Sequence, residues 1–177
     1  MPPLPVQRSQ VLFQGRVFRV RRDWVRTPDG RTVTWDIVEH HGAVTIVPVD
    51  AQGRVWFVRQ YRHAVGETIL EFPAGTLEPG EEPLACAQRE LAEEIGRAAA
   101  HWRRLGTFYL APGYSTEQMT VFLARDLRPA QGQLDADEIL RPERYPLAQV
   151  DAWIRGGHLR DAKTLAAWLL ARPYLSS

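Results

Sequence analysis

Residues 75–96, GTLEPGEEPLACAQRELAEEIG, constrain the fold more than any other stretch of the chain. Pro83 suits a first helical turn and Gly96 suits the position just past a last one, which predicts a helix over 83–95. Leu84, Ala87, Leu91 and Ile95 recur at helical spacing and predict one buried stripe. A single amphipathic helix of this length needs a sheet to cover it, and the flanking sequence reads as strands. RVFRVRRDWV, TPDG and RTVTWDIVEH predict an antiparallel hairpin turning at Pro28-Asp29-Gly30. GAVTIVPVD (42–50), AQGR and VWFVRQYR (55–62) predict a second pair, its first strand apolar enough to be central and covered on both faces. ILEF (69–72) predicts a short strand before Pro73. Strands are expected at 101–110 and 117–125, then a last short strand. Helices are expected near 147–155 and 161–171, parted by Gly156-Gly157. The proline-rich residues 1–10 read as a loose arm. Strands first, with a helix inserted mid-sheet, predict an α+β fold: a mixed β-sheet between helices (α/β/α).

The same helix poses a charge problem. Residues 75–96 hold six glutamates and one basic residue, Arg89. Glu90, Glu93 and Glu94 lie three and four apart, where like charges weaken a helix. On a helical wheel they fall beside the apolar stripe, at the edge of the core, where unpaired carboxylates are costly. Glu90 and Glu94 have no lysine or arginine at i+4, and Arg97, at i+4 from Glu93, lies beyond the predicted end of the helix. A solvated acidic face is the bland alternative. A cradle for a hard divalent cation, Mg²⁺ above all, relieves every one of these problems.

The spacing of Gly75, Glu81, Arg89-Glu90-Leu91, Glu93-Glu94 and Gly96 resembles the Nudix box. The one departure is Arg97, where that family favours an aliphatic residue; a local repacking is expected, with metal binding kept. The resemblance implies the Nudix fold, with two or three Mg²⁺ ions (or Mn²⁺) held by Glu90 and Glu94. Glu93 supports them, the carbonyl of Ala74 joins the shell, Arg89 orients the glutamates and Glu81 braces the loop. It implies hydrolysis of a diphosphate to two phosphate monoesters.

Outside the box, three segments resemble the ADP-ribose pyrophosphatase branch. In RQYRHAVGETILEFPAG (59–75), Arg62 matches an arginine that contacts the diphosphate; Arg59 and Glu71 are assigned to the substrate side with it. The plain alternative for Arg62 is a surface arginine at a strand end. LAPGYSTE carries the branch's marker proline, Pro112, which is otherwise a simple Pro-Gly turn. GRTVTWDIVEH resembles a hairpin exchanged between subunits, with Trp35 matched to a tryptophan that stacks on adenine; the alternative is a tryptophan packed on the sheet. These matches imply a homodimer, with residues 1–41 as arm and dimerising hairpin and 42–177 as the Nudix domain. Glu138, or Asp137 in its place, matches a catalytic base on a loop after the box; a solvated acidic tip is the alternative.

Composition bounds the rest. At 177 residues and 45% hydrophobic the chain can bury an ordinary core, and a formal charge of +1 gives no global attraction to nucleic acid or anionic membrane. Cys86 is the only cysteine, so no intrachain disulfide forms. No apolar run reaches the ~18 residues of a membrane span and the opening lacks a signal-peptide core; a cytoplasmic protein is expected. Of the 22 basic residues, Lys163 alone is not arginine. His40-His41 point to opposite strand faces and do not suggest a metal pair. Cys86 reads as a buried thiol. Arg19, Arg21, Arg22 and Arg26, interleaved with Phe18 and Trp24, read as a solvated or dimer-rim face more readily than as a nucleic-acid platform. The expected activity is Mg²⁺-dependent hydrolysis of ADP-ribose to AMP and ribose 5-phosphate. The alternatives are another nucleoside diphosphate derivative (a nucleotide sugar, NADH or FAD) and a non-catalytic nucleotide-binding regulator.

Overall fold

The structure, a computed structural model, describes residues 2–133 and 139–175. The chain forms two compact units, Met1–Gly42 with Tyr109–Gln118, and Ala43–Phe108 with Met119–Ser177.

The first unit is built on an antiparallel sheet of β1 (Val6–Gln14), β2 (Phe18–Arg26) and β3 (Thr32–His40), in that order. The turn between β2 and β3 closes where Gly30 takes φ 85° and donates its N–H to the carbonyl of Thr27. β1 corrects the expectation of a loose arm: it pairs with β2 from Val6↔Val25 to Gln14↔Arg19. All nine of its residues are exposed, so it lacks the alternation by which a half-buried strand shows itself. Residues 111–116 lie along β3, with Val38 donating to the carbonyl of Tyr114 and accepting from Thr116.

In the second unit, β4 (Ala43–Pro48) is buried at all six positions, as its apolar run implied. β5 (Arg54–Arg62) does not form a hairpin with it. Apart from one bridge, Val49–Val55, the turn at 50–53 carries the chain into another sheet. The reason is that both edges of β4 are taken. β7 (Ala74–Thr76) pairs with it antiparallel and β9 (Gln118–Pro129) parallel, in the order β7-β4-β9-β8 with β8 at Arg97–Tyr109. The other sheet runs β10-β5-β6, antiparallel, with β6 at Glu67–Glu71 and β10 at Leu140–Pro146.

Strand alternation divides this unit's core in two. Val44, Ile46, Trp56, Val58, Phe122 and Ala124 pack with Cys86, Ala87, Leu91 and Ile95 of α1 (Pro83–Ile95). Val47, Val49, Val55, Phe57, Val121 and Leu123 pack with Val150 of α2 (Leu147–Arg155) and with Ala167, Trp168 and Ala171 of α3 (Ala162–Ala171). Helix, strands and helices therefore form three layers, the α+β arrangement expected. Leu84 is a correction: it is 40% exposed, and fully buried Cys86 takes its place in the stripe.

Candidate active site

α1 starts at Pro83 and ends where Gly96 adopts φ 63°, its N–H returning to the carbonyl of Ala92. At about 100° per residue, Glu94 falls between Cys86 and Ala87 on the wheel, and Glu90 falls there too. Both lie inside the buried arc and are 3% and 7% exposed. The edge-of-core position expected for them is thus an understatement: the two acids belong to the face that covers the strands.

The loop before the helix is shaped around them. Ala74 donates its backbone N–H to Glu94 Oε2 at 2.9 Å. A Cβ on Gly75 would stand 1.7 Å from Glu90 Oε1, so that residue has room for the Glu90 carboxylate only as glycine. Arg89 clasps the group from the side. Its Nε and Nη2 each donate to Glu81 at 3.0 Å, and its Nη1 donates to Glu90 Oε1 at 2.7 Å and to Glu93 Oε2 at 3.0 Å. These partners raise the Arg89 pKa, the Glu81 bond most of all, and hold Glu81 below the usual carboxylate range. Glu81 Oε2 also accepts from Glu78 N–H, closing the turn at Gly80. Arg97, at i+4 from Glu93, turns to Trp56 instead, and the compensation comes from Arg89, four residues ahead of Glu93, with reach to both sides.

Of the remaining expected residues, Arg62 lies half-buried and bound through Nε and Nη2 to the Glu71 carboxylate, at 2.8 and 2.7 Å. Arg59 makes the same two-point pair with Glu143, at 2.8 and 2.9 Å. Glu143, which also accepts from Tyr145, is pulled down to about 2, chiefly by the Arg59 bond. Arg97, at the box exit, lays its guanidinium over the Trp56 ring at 4.9 Å. Cys86 is buried and its thiol is pushed up by burial, with no histidine among its bonded partners. In the first unit, Trp35 is 48% exposed on β3 and Pro112 occupies the loop along that strand. Arg19, Arg21 and Arg22 are each ion-paired, to Glu39, Asp23 with Glu39, and Asp36. His40 accepts from Gly42 N–H through Nδ1. Glu138 and Asp137 lie outside the described residues. Gly132 lies so close to the backbone of Ala92 in α1 that a Cβ would overlap it at 2.2 Å.

Sequence reasoning missed Glu143, Asp161 and Lys163, all bonded to expected site residues or to one another. Lys163 carried a signal, as the single lysine of an arginine-rich chain.

Comparison with known proteins decides what this constellation belongs to. The sequence model of the NUDIX domain matches residues 39–168. The chain belongs to the Nudix family. An ADP-ribose pyrophosphatase of Mycobacterium tuberculosis is 39% identical over 173 residues, covering 91% of this chain and 79% of that one. An ADP-ribose pyrophosphatase of Bacillus subtilis is 36% identical over 161 residues, covering 90% and 87%. A crystal structure of an ADP compounds hydrolase superimposes with a TM-score of 0.87 at 26% identity, over 99% of this chain and 95% of that one.

Nudix hydrolases use divalent metal ions, and the donor set here suits one. Glu90, Glu93 and Glu94 carry the hard carboxylate oxygens such ions take, two of them buried beside Gly75 and Ala74 in space that a larger residue would fill. Among the described residues no three acidic, histidine or cysteine side chains are already drawn to metal-bound spacing. Arg89 supplies positive charge among these acids.

Proposed function

We propose that the chain hydrolyses ADP-ribose to AMP and ribose 5-phosphate with Mg²⁺ (or Mn²⁺) held chiefly by Glu90 and Glu94. The observation that carries this reading is the burial of those two carboxylates against Gly75 and Ala74, with Arg89 fixing their neighbours. When bound, the cations neutralise phosphate oxygens and acidify a water. The chain's own groups do the rest. Arg89 bridges Glu90 and Glu93 through Nη1 and holds both in place, and Glu81 holds Arg89. Ala74 fixes Glu94 by its N–H and is assigned to the metal shell through its carbonyl. Arg62, held by Glu71, presents N–H donors to a diphosphate oxygen, a pairing suited to guanidinium geometry, and Arg59, held by Glu143, is assigned to the same side. Glu138, with Asp137 as the substitute, is assigned as the base that takes the water's proton. In the balanced reaction the water oxygen bonds to one phosphorus, the bridging P–O bond breaks and the departing phosphate oxygen gains the charge.

The substrate assignment draws on the two relatives, both ADP-ribose pyrophosphatases by name. Trp35, half-exposed, is assigned to adenine stacking and Pro112 to the adjoining loop. Association into a homodimer through the N-terminal strands is supported by the apolar side chains they expose, Val11, Leu12 and Phe13 among them. Light scattering on the purified chain tests it, twice the chain mass supporting the dimer and a single chain mass refuting it.

Product analysis on a panel of ADP-ribose, UDP-glucose, NADH and FAD with Mg²⁺ tests the activity. AMP and ribose 5-phosphate, formed at a higher kcat/KM from ADP-ribose than products are from the others, are expected. Equal turnover of UDP-glucose or NADH overturns the substrate assignment, and no turnover of any overturns the enzyme reading.

A further inference from the structure

Glu71 is the most deeply buried acid on the β6 side of the unit, with 1% of its side chain exposed, and it holds two cations at once. Arg62 reaches it from β5 by Nε and Nη2. Lys163 reaches it from the first turn of α3 and bonds Oε2, the oxygen that Arg62 Nη2 also uses. Lys163 is fixed in turn. Its Nζ stands 3.0 Å from Asp161 Oδ1, and Asp161 Oδ2 caps α3 by accepting from Thr164 N–H at 2.9 Å. Thr164 Oγ1 then accepts from the backbone N–H of Phe72, next to Glu71, so α3 is stitched to this strand at two adjacent residues.

The network balances two positive groups against two negative ones, and only Arg62 leads out of it: its side chain is 39% exposed, against 11% for Lys163 and 15% for Asp161. A guanidinium has five N–H donors in a fixed fork. Glu71 takes one from Nε and one from Nη2, which leaves three for an outside acceptor. Glu94 is near enough to add to the field that keeps Arg62 charged, after the dominant Glu71 bond.

We propose that Lys163 is a positioning residue for diphosphate binding: by sharing the Glu71 carboxylate it fixes that group and its charge, so that Arg62 is steered to the substrate without being neutralised. Without the lysine, a buried carboxylate has Arg62 as its one strong cationic partner and draws it inward. The effect falls on substrate and transition state alike, because a bound phosphate oxygen meets Arg62 in both. This inference rests on the Nudix reading above.

Two measurements test it. In Lys163→Met, KM for ADP-ribose should rise roughly tenfold, the scale of one charge-assisted hydrogen bond, while kcat stays within about threefold. In an Arg62→Ala background the same change should leave KM within about twofold. A merely structural lysine would lower the melting temperature and the active fraction, hence kcat, and leave KM alone. An unchanged KM, or the same rise in both backgrounds, overturns the proposal; a wild-type protein without ADP-ribose turnover sinks the functional reading instead. The second measurement needs no Lys163 variant. Because Lys163 is the only lysine, selectively labelled protein gives one lysine side-chain NMR signal. Adding ADP-ribose in excess chelator should shift it in wild type and leave it in place in Arg62→Ala. No shift in wild type, or an equal shift in both, overturns the proposal.

Discussion

Replacing Arg89 with methionine keeps an unbranched apolar stem and removes a cation shared by Glu81, Glu90 and Glu93. Four N–H···O contacts of 2.7 to 3.0 Å go with it. Stripping the partner from a buried charge costs about 3–5 kcal/mol. Arg89 is 30% exposed and Glu93 29%, so solvent screens part of this and the lower end applies, about 3 kcal/mol. At roughly 2–4 °C per kcal/mol for a chain of this size, the melting temperature should fall by about 6–12 °C at pH 7 in chelator. The pH dependence has a definite sign. The Arg89 bond holds the Glu81 carboxyl below the ordinary carboxylate range. Its stabilisation is therefore complete above the unfolded value and is lost as pH falls through the lower, folded one. The gap between wild type and variant should be full at pH 7 and close progressively below about pH 5. Mg²⁺, by replacing the missing positive charge, should narrow the gap at neutral pH. Calorimetric melts across pH 4–7 measure all of this. A loss under 1 kcal/mol, or one that stays constant down to pH 4, refutes the account of Arg89 as the counter-charge of the acidic helix.

Two other substitutions separate metal binding from folding. Glu94→Gln keeps an oxygen to accept from Ala74 N–H and discards the charge, so circular dichroism should be unchanged while kcat drops by about 10²-fold or more; a wild-type rate would remove Glu94 from the site. Gly75→Ala sets a methyl where Glu90 Oε1 lies, at 1.7 Å, and the flexible carboxylate must swing away. The expected result is a folded protein whose Mg²⁺ requirement rises at least tenfold, and an unchanged requirement would show that Glu90 holds no cation.

Much of this was legible in the sequence because local chemistry fixed it. Pro83 and Gly96 bound the helix from residues that favour only those ends, and Gly156-Gly157 parted α2 from α3. Glu90, Glu93 and Glu94 could be read because their spacing is contained within one helix. The misreadings arose where neighbours distant in sequence decide. β1 exposes every residue and leaves no pattern to read. β4 and β5 look like a hairpin until β7 and β9 occupy both edges of β4, and a three-residue strand containing a glycine announces nothing. Leu84 has the right spacing for the buried stripe but sits on the first turn, where Cys86 reaches the strands instead. The partners of Arg59 and Arg62 were beyond reach for a related reason: Glu143 lies 84 residues from Arg59, and Lys163 lies 92 from Glu71. Only folding brings these pairs together.

The claim on which the rest depends is that buried glutamates on one short helix are there to hold a divalent cation. Isothermal titration of Mg²⁺ into chelator-stripped protein, with AMP present, tests it without turnover. Wild type should give a saturable isotherm that is lost in the Glu90→Gln, Glu94→Gln double variant. Absence of binding heat in wild type, or the same isotherm from both proteins, would contradict it.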